Sequence, residues 1–402
     1  MTTSKWPERA TDSSSGAGAR QRPQRVLILG RSRLAFEIVW TLESRPELGC
    51  EVVGMLERPA STGTADATET ASDWLERMLA RYEPDWLIVA PIERRGALPM
   101  QGLLRRRLAG LRIDEAAVAF ERLTGKLPIE SLNPSGLLFS DGFRRGRFYE
   151  AIDRTLSMGL ASVGLVVSAP VLILAAAAIK LDSPGPVLFR QARIGRGGKA
   201  FALLKLRTMR MTAAEPSLWV RDNHQRITRS GRWLRKFRLD ELPQFINVLR
   251  GEMSFVGPRP HPQDNFELFD RHIPYYWMRN LVRPGITGWA QVRYGYANTL
   301  AEETEKVRYD LYYIKHQSFL LNLRILLATI REVLVGRSTS ARAKPFGDIE
   351  LREMQTHETQ AGPNAPDSLD QDDSDSARRS QVPVHDGAAK SRHRGASRTP
   401  AH

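Results

Sequence analysis

The 402-residue chain carries 59 Lys and Arg against 45 Asp and Glu, a formal net charge of +14, with a pI near 10.2 and a mean hydropathy of −0.36. That length gives room for two domains with separate cores, while the hydropathy excludes a polytopic membrane protein. The single cysteine, Cys50, excludes an internal disulfide and a cysteine-based zinc site, and the excess positive charge leaves nucleic acid, an anionic membrane surface or a phosphorylated small molecule as partner.

Residues 1–22 are rich in Ser, Thr, Gly and Arg without an apolar core, so they are expected to be disordered and to hold no cleavable secretory signal. The bulk of the chain is therefore expected to start out cytosolic. Residues 23–143 alternate strand and helix patterns. Arg25 to Gly30 reads as a strand closed by glycine, and Leu34 to Leu48 continues with helical spacing. A strand at Glu51 to Leu56, a helix near Asp73 to Tyr82 and a strand at Trp86 to Val89 follow. Such alternation predicts a Rossmann-like parallel sheet with helices on its faces. The first turn, Gly30-Arg31-Ser32-Arg33-Leu34-Ala35, keeps the first glycine of a dinucleotide fingerprint, replaces the second by Ser32 and fills the third with Ala35. Glu57 lies roughly where a ribose-binding acid could sit, so nucleotide binding and a nucleotide-free scaffold both stay open.

Residues 144–180 form a basic linker and a membrane segment. Arg144, Arg145, Arg147 and Arg154 precede a stretch from Thr155 to Ile179 that holds no charge, and about twenty apolar residues suffice for a helix to cross a bilayer core. Pro170, preceded by Ser168 and Ala169, should kink that helix. Lys180, Arg190 and Arg193 follow it, so both flanks carry the signature of the cytoplasmic face. A re-entrant helix broken at Ser168 and Pro170 is expected, rather than a single span or a buried soluble core helix.

Residues 181–338 hold the chemistry. Between Arg190 and Arg238 stand fourteen Lys and Arg, while Glu215, Asp222 and Asp240 are the acids of 190–240. The chain's basicity is thus local, as a site for phosphates would need. Arg193 to Lys199 is a glycine-rich basic turn, either a phosphate cradle or a hairpin loop, and Lys205 to Arg210 alternates basic and apolar residues like a strand. Pro243 fits only the first turn of a helix, which puts Asp240 and Glu241 at its N-terminus beside Arg232, Arg235, Lys236 and Arg238. Adjacent acids at a helix start are commonly caps; among these cations they also suit a nucleophile and a metal ligand. Arg259 lies between Pro258 and Pro260, which fix its backbone for bidentate phosphate binding. Arg283 to Val292 is glycine-rich with one aromatic, and Tyr309 to Lys315 reads as a helix with an aromatic stripe. Residues 339–402 are polar, with an acidic cluster from Asp367 to Asp375, and are expected to be a disordered tail.

The Pro-broken apolar segment, Asp182-Ser-Pro-Gly-Pro186, Lys205 to Arg210, Leu239-Asp-Glu-Leu-Pro-Gln244, Val256-Gly-Pro-Arg-Pro260 and Pro284-Gly-Ile-Thr-Gly-Trp-Ala-Gln-Val292 occur in order between 148 and 336. Together they resemble the bacterial sugar transferases called monotopic polyprenyl-phosphate phosphoglycosyl transferases, and the N-terminal region, with Leu132-Asn-Pro-Ser135 and Leu138-Phe-Ser-Asp-Gly-Phe143, looks like the Rossmann-like domain of larger exopolysaccharide members. The transmembrane bundle usual at the N-terminus of those members has no counterpart in this sequence. The expected class is α/β: an N-terminal Rossmann-like parallel-sheet domain, a re-entrant membrane helix and a mainly α (α+β) catalytic domain.

The resemblance implies transfer of sugar 1-phosphate from a UDP-sugar to undecaprenyl phosphate at the inner-membrane lipid surface, with the catalytic domain facing the cytoplasm. By motif match Asp240 is the nucleophile and Glu241 binds Mg²⁺. Lys205, Arg207, Arg235 and Arg259 are the candidate phosphate-binding residues, and nucleic acid is not an expected partner. Two other readings stand beside this one. One is an oxidoreductase or dehydratase using the N-terminal domain, and the other is a membrane-surface adaptor without catalysis.

Overall fold

The computed structural model describes residues 22–57, 70–90, 99–132, 146–210, 226–295 and 297–335, with Leu137, Gly142 and Phe143. The expectations for residues 1–21 and 339–402 lie outside these. Strands β1 (Gln24–Leu29), β2 (Cys50–Leu56), β3 (Trp86–Val89) and β4 (Arg112–Glu115) form a parallel sheet in the order β2-β1-β3-β4. Side chains alternate across it with the period of two that strands impose. Val26, Ile28, Trp86 and Ile88 pack with the helices α1 (Arg33–Glu43) and α4 (Ala116–Thr124), while Leu27, Leu29 and Leu87 meet Leu75 of α2 (Ala71–Tyr82) and Leu103 of α3 (Met100–Leu108). Helix α1 stops short of the expected Leu48. Pro46 cannot continue it and displaces Arg45 to φ −134°, so the chain passes through a short 3₁₀ turn instead.

Gly30 is required by its backbone, with φ +112° and room for no Cβ beyond 3.1 Å from Ala90. Ser32 caps α1 by accepting the Ala35 N–H at 3.3 Å. The hydroxyl that replaces the second glycine thus satisfies one of the donors a pyrophosphate would use.

Helix α5 (Arg147–Asp182) is one 36-residue element in which helical structure continues through Pro170, a length of about 54 Å at ~1.5 Å per residue. One stripe of small residues faces the folded body. Ser157 bonds Ser254 at 3.0 Å, Ala161 packs with Val248 and Met253, and Ala175 and Ile179 pack with Leu206 and Leu234. A Cβ on Gly164 would stand 2.8 Å from the Phe245 ring, so glycine is what allows close approach here. The opposite face is apolar and bare, with Val166 74% and Leu174 71% exposed. Both ends of α5 are tied to the same body. Arg154 donates to Val248 O and Leu249 O at 2.5 and 3.0 Å, and Asp182 accepts from the Ser230 N–H and hydroxyl at 2.7 Å each.

The rest is mainly helical. Antiparallel β5 (Leu188–Ile194) and β6 (Ala200–Leu206) flank the glycine-rich basic turn, where Gly197 and Gly198 take positive φ; this turn is a hairpin loop. Helices α6 (Arg229–Lys236) and α7 (Gln244–Arg250) lead to strand β7 (Ser254–Val256), which pairs in parallel with β8 (Gly285–Thr287). Gly257, Gly285 and Gly288 pack there so closely that a Cβ on any of them would fall within 2.5 Å of backbone. Helices α8 (Gln263–His272), α9 (Trp289–Arg293), α10 (Leu300–His316) and α11 (Phe319–Val335) complete the body. The tyrosines of the predicted aromatic stripe, Tyr309 and Tyr313, are core residues.

The N-terminal domain docks on α10 through buried charge. Arg308 reaches Glu37 of α1 at 2.7 and 3.1 Å and Glu130 at 2.6 Å, Lys126 pairs with Glu305, and Lys315 pairs with Glu121 at 2.7 Å.

Candidate active site

The two acids sit in a 3₁₀ turn, Leu239–Glu241, just ahead of α7 rather than inside its first turn. Pro243 already has helical dihedrals, but its ring leaves no N–H to bond back to the acids. The turn is set by Arg238, a non-glycine residue at φ 55° and ψ 22°. Such a conformation costs on the order of 1–3 kcal/mol and persists where surroundings enforce it, commonly at functional sites.

Asp240 and Glu241 are each 8% exposed, yet what surrounds them is cationic. Glu241 pairs with Arg259 Nη2 at 2.5 Å, Lys205 Nζ at 3.7 Å and Arg238 Nη1 at 4.0 Å. Those cations overcome burial and hold its carboxyl well below the usual carboxylate range. Asp240 behaves oppositely. Burial, then the neighbouring Glu241 charge, raise its pKa to about 6, against the pull of Lys205, Arg235 and Arg259. Lys205 is pushed down to about 8 by burial and by Arg259. Two adjacent carboxylates thus differ in character: one held ionised by its ion pairs, the other a more basic carboxylate.

These groups arrive from separate elements. Lys205 lies on β6, Arg235 on α6 and the acids before α7, while Arg259 follows β7. Asn247, fully buried in α7, fixes two of the pieces together. Its Oδ1 accepts from Leu204 N at 3.0 Å and its Nδ2 donates to Ala202 O at 2.8 Å, which holds strand β6, and so Lys205, against the helix that follows the acids. Arg235 Nε donates to Thr208 Oγ1 at 2.9 Å. Arg259 Nη1 donates to Gln291 Oε1 of α9 at 3.1 Å.

Residues 148–336 match the family model described as bacterial sugar transferase. The chain is also 32% identical over 337 residues to a UDP-glucose:undecaprenyl-phosphate glucose-1-phosphate transferase of Xanthomonas campestris, covering 79% of this chain and 68% of that protein. The chain belongs to the bacterial sugar transferase family. Its alignment with the Xanthomonas protein is longer than the 148–336 stretch and therefore reaches into the N-terminal region. A second relative is a UDP-N-acetylgalactosamine-undecaprenyl-phosphate N-acetylgalactosaminephosphotransferase of Aeromonas hydrophila, 39% identical over 235 residues, 58% of this chain and 55% of that protein. A third, from Caulobacter vibrioides, is a UDP-glucose:undecaprenyl-phosphate glucose-1-phosphate transferase, 45% identical over 184 residues, 45% of this chain and 69% of that protein. The chain thus spans about 55% of the Aeromonas relative's length.

Within this family member, Asp240, Glu241, Lys205, Arg235 and Arg259 converge, whereas Arg207 does not join them. Strand β6 ends at Leu206, the alternation is lost, and Arg207 turns to the C-terminal end of α5. There its guanidinium donates to Pro184 O at 2.7 Å and Ser183 O at 2.6 Å. It caps the C-terminal end of α5 and is 3% exposed. Arg232 and Lys236 are exposed on α6. Ser168, two residues before Pro170, donates to Leu165 O at 3.3 Å within α5.

Three buried polar positions that brace the site had no motif to announce them. Asn247 could have been found as a polar residue on the apolar side of an amphipathic helix. Arg279 and Asp310, 31 positions apart, form a buried ion pair at 2.8 Å that no local pattern encodes. Among the described residues no group of three or more His, Cys, Asp or Glu side chains is arranged to hold a metal, so protein donors for a cation at this site reduce to the Asp240–Glu241 pair.

Proposed function

We propose that this chain transfers sugar 1-phosphate from a UDP-sugar to undecaprenyl phosphate through a covalent intermediate on Asp240, initiating exopolysaccharide or other glycoconjugate assembly. The observation that carries this reading is the split between the two carboxylates, a basic Asp240 beside an ion-paired Glu241, within a ring of Lys205, Arg235 and Arg259. The relatives' names supply the substrate classes.

In the first half-reaction an Asp240 carboxylate oxygen attacks the sugar-bearing phosphorus. The bond from that phosphorus to the bridging oxygen breaks, and UMP leaves with the electron pair. In the second, a phosphate oxygen of undecaprenyl phosphate attacks the same phosphorus and Asp240 leaves as free carboxylate, giving undecaprenyl diphosphosugar. Phosphoryl transfer requires charge screening and in-line positioning more than covalent help from the protein. Lys205, Arg235 and Arg259 provide the screening, and Arg259's planar fork suits two oxygens of one phosphate. Mg²⁺ is commonly held by one or two carboxylates together with substrate phosphates, and this donor pair fits that pattern with Glu241 as the ionised ligand. Bound there, the ion would neutralise charge on the diphosphate.

We further propose that α5 embeds from the cytoplasmic side and does not cross. The support is that one folded body grips both ends of the helix, through Arg154 and through Asp182, whereas a span would separate those contacts by a bilayer. Each large apolar side chain on the bare face contributes about 1.5–3 kcal/mol when removed from water, which favours a lipid environment for it. Screening UDP-sugars with undecaprenyl phosphate and following UMP tests the reaction. UMP that appears with one or a few sugars is the expected outcome; none from any sugar refutes it.

A further inference from the structure

We propose that Arg279 is a positioning residue for Arg259, held in place by Asp310 of α10, so that the N-terminal domain and the phosphate clamp share one rigid support. This rests on the reading of Arg259 as a phosphate-holding residue. Four successive carbonyls of the Arg259 segment each accept a hydrogen bond, from three separate parts of the chain. Gly285 N donates to Pro258 O at 3.0 Å, Arg279 Nη2 to Arg259 O at 2.9 Å, Arg193 Nη1 to Pro260 O at 2.8 Å and Ile194 N to His261 O at 3.0 Å. The donor on Arg259 itself is the one supplied by a buried charged side chain.

Arg279 is 5% exposed, and each of its three side-chain nitrogens donates a hydrogen bond. Nε donates to Asp310 Oδ2 at 2.9 Å, Nη1 to the Tyr276 hydroxyl at 2.6 Å and Nη2 to the Arg259 carbonyl. A buried ion pair is seldom the cheapest way to stabilise a core, since well-packed apolar residues commonly do as well. A guanidinium with three acceptors in fixed directions does supply what an apolar pair cannot, a defined position for a neighbouring backbone. Asp310 and Arg308 are two residues apart on α10, hence about 200° apart around the helix. One side therefore carries the Arg279 pair and the other carries the pairs to Glu37 and Glu130 that dock the N-terminal domain. The route from that domain to the acids is continuous: Glu37, Arg308, α10, Asp310, Arg279, Arg259, Glu241.

The test is binding of inorganic pyrophosphate to the full chain in detergent by calorimetry, for the wild type, Arg279→Lys, Arg259→Lys and the double variant. Lysine keeps the charge at 279 but cannot reach Asp310, Tyr276 and the Arg259 carbonyl together. Arg279→Lys is expected to weaken binding about tenfold, the lower end of what loss of a supporting contact costs. In the Arg259→Lys background the same change is expected to have no further effect, because Arg279 acts only through Arg259. A full additional loss in the double variant, unchanged binding in Arg279→Lys, or no pyrophosphate binding by the wild type would each overturn the proposal. If Arg279→Lys does not fold, Asp310→Asn replaces it in the same cycle; failure of both to fold assigns the pair to stability and also overturns it. Absence of UMP release with an intact pyrophosphate cycle would strike the reaction alone.

Discussion

Replacing Lys205 by arginine should remove one limb of the pH profile and leave the other. The carboxylate of Asp240 must be ionised to attack, and its pKa is about 6, so activity rises as pH passes upward through 6. Lys205 must be protonated to screen phosphate, and its pKa is about 8, so activity falls as pH passes upward through 8. From its ordinary 10.5 to about 8 corresponds to roughly 3 kcal/mol of disfavoured charge at ~1.4 kcal/mol per pH unit, caused by burial and by Arg259. Arginine stays charged beyond pH ~12, so in Lys205→Arg the alkaline limb should move out of range while the acid limb stays near 6. The assay is kcat/KM for the UDP-sugar from UMP release across pH 5 to 10. In a two-step covalent mechanism that ratio reports the first half-reaction, where the donor diphosphate does not titrate. An alkaline limb still near 8 in Lys205→Arg would refute the assignment, as would an acid limb near 4 in the wild type.

Arg207→Met should act on stability and not on chemistry: leaving the Ser183 and Pro184 carbonyls without their charged donor is expected to cost about 2–4 kcal/mol, read as a lower thermal midpoint, with both pH limbs unmoved. Gly164→Leu should destabilise by about 1–3 kcal/mol or more, because its first carbon meets Phe245 at 2.8 Å; Val166→Leu on the bare face should change the midpoint little. Tags at residues 1 and 402 should both resist labelling from the periplasm in intact cells, and labelling of either would contradict one-sided embedding.

Local chemistry in the sequence was enough to find the acids, Lys205 and Arg259, because charge, proline and glycine there act within a few residues. Arg207 was misread because the alternation that governs a strand lapses where the strand ends, and the end at Leu206 is decided by packing against α5. The early stop of α1 was encoded in Pro46, a stronger signal than the helical spacing that runs past it. The uncharged run from Thr155 to Ile179 marked only the middle of α5, which extends through charged residues at both ends from Arg147 to Asp182. Its orientation was written more faintly, in Ser157, Ala161, Gly164 and Ser168 recurring at helical spacing on the side that meets the body. Asn247, Arg279 and Asp310 act through partners distant in sequence, and only the fold brings those partners to them.

The central claim is that Asp240 carries the sugar phosphate. Incubating the purified protein with its UDP-sugar in the absence of undecaprenyl phosphate, then measuring intact mass and mapping peptides, tests this directly. The account predicts a mass gain of one sugar phosphate on the peptide containing Asp240, absent from Asp240→Asn and discharged when undecaprenyl phosphate is added. Turnover in Asp240→Asn, or an adduct on another residue, would contradict it.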